Sequence, residues 1–348
     1  MAVCYGAGMK LFGAIAVHVK GEAILATPGF LDKVRMWFGG KPRDTGRVRA
    51  AIRAAAVVDS ARDALRSIGV TNAVALVVDG TTLFHDKDGR ADDLGDLFLA
   101  FHEHSAALDD GFDLIRLTVE HVEAGLHMVL ELQARSEHPA SEPAMRLVCS
   151  GRIQDLEPRP GESADAYRAR IEPLTKDATG LEVARVQFEA FVARVRDALQ
   201  KTMPEADAEV VTAQARIARP GADGKDQPAP AQSPTDRNYD PYMAYYPSPM
   251  SSMLNIMMWG SIFSMMHTPN VVVVNAAGVP TGHASDPGIA SADPAQSEYA
   301  ESADGGAGEG GVFGDDAGGD VGGGDLGGGD VGGGDGGGFD FGDFGGFD

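Results

Sequence analysis

Three runs between Phe112 and Ile153 constrain the fold more than any other part of the chain. In FDLIRLTVEHV, Ile115, Leu117 and Val119 alternate with Arg116, Thr118 and Glu120. Past Glu123-Ala124-Gly125, Leu126, Met128, Leu130 and Leu132 alternate with His127, Glu131 and Gln133. AMRLVCSGRI repeats the pattern through Met145, Leu147 and Cys149. Successive side chains of a strand point to opposite faces, so period two gathers the apolar set on one side. Three such runs predict an antiparallel meander covered on one face by helices.

The covering helices are legible too. Val48, Ile52, Ala55, Val58, Ala61, Leu65 and Ile68 recur every three or four residues, and Gly69 is placed to end that helix. Arg47, Arg49, Arg53, Arg62 and Arg66 stud it and read as its solvated face. VTNAVALVVDGTTLFHD reads as two strands about an Asp79-Gly80 tight turn. Leu94, Leu97, Phe98, Phe101 and Leu108 give a further amphipathic helix, and Leu31, Val34, Trp37 and Phe38 a shorter one. A short helix over 163–171 and a long one through Leu181, Ala184, Phe188, Phe191, Val192, Val195 and Leu199 complete the set. The fold class expected is α+β: a two-layer domain with an antiparallel sheet packed against helices, then a largely disordered C-terminal region. Residues 1–43 are an N-terminal segment of uncertain structure, with a hairpin about Lys20-Gly21 as one reading, and 44–204 are the α+β domain.

The run GVTNAVALVVDG, with a helix before it and a turn and second strand after it, is similar in order to roadblock-type proteins. The order of helices about an antiparallel sheet is similar to secretion-chaperone domains. Either resemblance implies a non-enzymatic, dimeric binding module. Neither extends over the last 150 residues or so of the chain.

Charge divides the chain. All 29 Lys and Arg lie at or before Arg237, against 35 acidic residues in that part, whereas 238–348 hold 16 acidic residues and no cation. Such an acidic balance disfavours tight nucleic-acid binding, which needs a dense Lys/Arg surface, so no nucleic acid is expected as a partner. Residues 205–238 read as a Pro/Ala-rich linker, and 239–276 as a Tyr/Met-rich hydrophobic segment. Residues 277–348 form an acidic Gly/Asp-rich tail in which Asp320, Asp325, Asp330, Asp335 and Asp340 keep a five-residue register. Glycine loses the most backbone entropy on ordering and brings no side chain to bury, so disorder is expected there. Only weak cation association is expected of its carboxylates. Phe339, Phe341, Phe344 and Phe347 at its tip read as contacts for a partner.

Chemistry is hard to find. Gly224-Lys225 lacks the Ser/Thr and first glycine of a phosphate loop, and Gly6-Ala7-Gly8 lacks the strand and third glycine of a dinucleotide site. His102 and His104 diverge on a helix, so they cannot chelate one ion together. His121 and His127 flank a hairpin turn and remain the one metal reading. No catalytic residue, cofactor site or metal site is assigned, and no cofactor is expected. Cys4 and Cys149 make neither a disulfide framework nor a zinc site, which favours the cytoplasm.

Pro249 and Pro269 bracket an uncharged stretch containing NIMMWGSIFSMM. A helix apolar on all sides needs surroundings, and these are lipid, the α+β domain or other copies. Polar residues within the stretch and the lack of flanking cations put lipid second. Met253, Leu254, Met257, Trp259, Phe263 and Met266 are the expected contacts. The leading reading is a non-enzymatic interaction or assembly protein that meets a protein partner or itself. A membrane-associated protein anchored by 250–268 is the alternative, and a cryptic enzyme or metalloprotein the third.

Overall fold

Each alternating run becomes a strand, and each periodic run that lies in view becomes a helix. The computed structural model describes residues 9–19, 46–86, 111–139, 141–220, 232–247, 251–261 and 271–286. The helices expected near 31–38 and 94–108, the turn at Lys20-Gly21, and Phe263, Met266, Phe339, Phe341, Phe344 and Phe347 lie outside them.

In chain order the described elements are β1 (Lys10–Val19), α1 (Gly46–Ser67), β2 (Asn72–Val78), β3 (Thr81–His85), β4 (Leu114–Glu123), β5 (Leu126–Arg135) and β6 (Met145–Ile153). A 3-10 turn (Gln154–Leu156) follows, then α2 (Ala164–Thr175), α3 (Ala178–Thr202), β7 (Ala206–Ala218), α4 (Pro241–Tyr245), α5 (Ser251–Ser261), β8 (Val271–Val274) and β9 (Pro280–His283). They form a nine-stranded sheet of order β3-β2-β4-β5-β6-β1-β7-β8-β9. Every neighbouring pair is antiparallel except β7 and β8, which are parallel, so the sheet is mixed.

Local chemistry fixes the turns. Asp79 and Gly80 both take positive φ, 46° and 81°, as a two-residue hairpin turn requires. Ala124 and Gly125 do the same at 53° and 76°. The α1 helix ends where expected, with Gly69 at φ 88° and the Val70 amide donating to the Leu65 carbonyl at 3.0 Å.

Helices α1 and α3 cover one face of the sheet. Ile15, Ile115, Leu117, Leu130, Leu132, Leu147 and Phe188 are fully buried between the layers. Phe188 comes close because Gly13 and Gly151 offer no side chain beneath it. A Cβ on Gly13 would lie 2.9 Å from the Val192 methyl and 3.5 Å from the Phe188 ring.

Two segments fall where composition pointed elsewhere. Residues 206–218, which open the stretch read as a linker, are a strand paired from Ala206 to Arg216 with β1. Three of its four buried apolar residues, Ala206, Ala208 and Ala215, are alanines, with too little side chain to make the alternation stand out. Strand β1 itself, from the segment of uncertain structure, lies in the middle of the sheet between β6 and β7.

Candidate functional site

The polar positions of the three alternating runs do not face water. Thr118 and Glu131 are fully buried, and Gln133 and Arg152 are each 7% exposed. What covers them is the segment 232–247, a strap that lies across the sheet face opposite α1 and α3 and includes α4. Four tyrosines of the Tyr/Met-rich segment belong to it: Tyr239, Tyr242, Tyr245 and Tyr246.

Asp240 is the strap's anchor. Its Oδ2 lies 2.9 Å from the Arg152 guanidinium and 3.1 Å from the Lys10 ammonium. Burial alone would raise its pKa, but those two cations outweigh burial and hold the carboxyl well below its usual range. Its Oδ1 also caps α4 by accepting from the Tyr242 amide at 3.1 Å. Arg152 stacks beneath the Tyr242 ring, 4.5 Å from its centroid.

The strap's main chain is held by sheet side chains. Gln133 donates to the Pro234 carbonyl at 2.7 Å, and Arg146 donates to the carbonyls of Asp236, at 2.7 Å, and Arg237. Arg216, stacked 3.7 Å over the Phe12 ring, reaches the Asn238 side-chain oxygen at 3.2 Å. Glu131 accepts from Gln133 at 2.8 Å, Thr118 at 3.1 Å and the Tyr239 hydroxyl at 3.4 Å, with Arg116 also at 3.4 Å.

At the strap's far end sits His127. Burial would lower its pKa, but bonds to Glu120 and Glu157 outweigh that and push it up to about 9. Protonated, its Nε2 donates to Glu120 at 3.2 Å and its Nδ1 to the Tyr242 hydroxyl at 2.9 Å, with Glu157 3.4 Å from the same nitrogen. Tyr242 and Tyr246 meet the imidazole edge-on, 5.1 and 5.0 Å away, and the Tyr246 hydroxyl donates to Glu120. Beside His127 opens a cavity of about 320 Å³, whose apolar wall includes Met9, Leu156, Met243 and Leu254.

The metal reading of His121 and His127 is corrected by the strand register. His121 pairs with Met128 and Val122 with His127, so the two histidines project from opposite faces. His121 stacks on Phe191 of α3 at 5.6 Å, while His127 faces the strap. No group of His, Cys, Asp and Glu suited to a metal ion occurs among the described residues. Cys149 is a buried free thiol whose pKa burial pushes up, which leaves it a weak nucleophile.

The Met-rich segment is partly settled. Helix α5 packs on α2 and β7, with Leu254 at 7% and Met258 at 0% exposure, while Met257 and Trp259 are half-buried against the core. Among the sequence-predicted contacts, Leu254, Met257 and Trp259 thus gather at this seam. Met253 lies on α5, but its side chain is outside the described set. Ile256, which was not singled out, is 41% exposed. No described helix is long and apolar enough to cross a membrane; α5 has 11 residues, about 17 Å of helix at 1.5 Å per residue.

Sequence reasoning missed the cationic floor of Lys10, Arg146, Arg152 and Arg216. A signal was available, because Arg146 and Arg152 occupy the same polar phase of β6. No family model matches the chain, and no curated protein or solved structure shows significant similarity to it. The likeness to roadblock-type and secretion-chaperone modules is therefore one of element order.

Proposed function

We propose that the chain is a non-enzymatic interaction or assembly protein of the cytoplasm. Its Tyr/Met-rich segment docks on its own α+β domain and presents the outward side of α5 to a protein partner or a second copy. One observation carries this reading: α5 turns Leu254 and Met258 inward yet leaves Ile256 exposed beside half-buried Met257 and Trp259. An isolated exposed isoleucine is ordinary, but three large apolar residues on one short helix form the kind of surface partners cover. The acidic tail, with Phe339, Phe341, Phe344 and Phe347, adds a second contact of different chemistry for a basic, apolar groove on a partner.

Light scattering of the purified full chain tests the proposal. A mass above one chain is expected, and Ile256→Asp should return it to one chain while leaving the far-UV circular dichroism unchanged. A wild-type mass of one chain at tens-of-micromolar concentration removes self-association. If Ile256→Asp then leaves cross-linked partners from a lysate unchanged, α5 is not the contact.

A further inference from the structure

The strap's seat resembles a receptor for a peptide more than a second hydrophobic core. The opposite face of the sheet is closed by apolar packing, whereas this one is closed largely by charge and by hydrogen bonds to main-chain carbonyls. The floor under the strap brings together Lys10, Arg116, Arg146, Arg152 and Arg216, with His127 at its edge, against Glu120, Glu131 and Glu157. Removing the strap would leave Lys10 and Arg152 without the carboxylate that neutralises both, so any occupant must bring an anion to that point. Arg146 and Gln133 grip backbone oxygens at 234, 236 and 237, which any sequence can supply. Specificity then comes from the Asp240 carboxylate and from the aromatic hydroxyls of Tyr242 and Tyr246, which reach His127 and Glu120.

We propose that this sheet face is a peptide-recognition surface whose resident ligand is the strap, and that an acidic–aromatic peptide from another chain, an Asp followed by two Tyr, takes the same seat. The proposal deepens the interaction reading by naming a partner chemistry. It uses none of the α5 surface, so the light-scattering experiment and the one below fail independently.

The test is fluorescence anisotropy with a labelled peptide of residues 232–247, titrated with the full-length protein. Wild type, whose seat is filled, should bind weakly. Asp240→Ala, which loosens the resident strap, should bind about tenfold more tightly. The same peptide carrying Asp240→Asn should lose about tenfold against that variant, and added salt should weaken the intact peptide more than the Asn one. A folded Asp240→Ala protein that ignores the peptide, or takes both peptides equally, overturns the proposal. Should Asp240→Ala not fold, the double variant Tyr242→Phe, Tyr246→Phe keeps the buried ion pairs and loosens only the His127 end. It should take up the peptide more tightly than wild type, and equal affinity for the two proteins overturns the proposal as well.

Discussion

At the scale of single residues, the strap's seat sets the behaviour of its titrating groups. Glu131 is fully buried among Arg116, Thr118, Gln133 and Tyr239. Glu131→Ala should lower unfolding free energy by about 3 kcal/mol in urea, because it leaves a guanidinium buried without its carboxylate. Glu131→Gln keeps one acceptor and should cost less, about 1 kcal/mol. His127 works through pH. Its folded pKa of about 9 stands above the ordinary 6.5, so the folded state holds the extra proton between those values. The stability it contributes is fully present below pH 6.5 and is lost as pH rises through 9. Urea midpoints measured from pH 6 to 10 should fall across that window. His127→Gln should flatten the fall; an unchanged slope would mean that another group carries it. Asp240 acts at the opposite end, since its depressed pKa gives stability above the ordinary carboxylate range that is lost on acidification.

Elements join where side chains are small or turns are strained. Helix α3 can approach β1 and β6 only because Gly13 and Gly151 leave room for Phe188. Gly13→Val should therefore destabilise by about 2–3 kcal/mol, read as a lower urea midpoint, because Val192 and Phe188 must shift out of well-packed positions. The β4–β5 turn holds Ala124 at φ 53°, a conformation that asparagine tolerates far better than alanine. Ala124→Asn should stabilise by about 0.5–1 kcal/mol, measurable as a raised melting temperature. No change would mean that the turn relaxes at no cost in the alanine form.

For the whole molecule, the sheet crosses every boundary that composition drew. Strand β1 sits between β6 and β7, β7 continues into the parallel β8, and the strap closes the second face. The fragment 44–204 thus lacks a central strand and the cover of Glu131 and Arg152. It should show no cooperative thermal transition by circular dichroism, whereas a fragment ending at 286 should retain one. A sharp transition in the shorter piece would show that the strap and β1 are dispensable.

By itself the sequence determined the local structure. Period-two alternation in β4, β5 and β6, the Asp79-Gly80 turn, the stop at Gly69 and the apolar stripes of α1 and α3 are all short-range patterns, set by backbone geometry. The site was legible only in part: the tyrosines of the strap and the polar phase of the strands could be seen, but not their meeting. Alternation alone says that polar residues leave the core. Only the tertiary structure decided that they meet a second cover instead of water, because that depends on partners far along the chain, with Asp240 reaching Arg152 across 88 residues. It likewise decided what lies against the inward side of α5. An apolar helix must be buried, but sequence does not specify by what, and the fold places α2 and β7 against Leu254 and Met258.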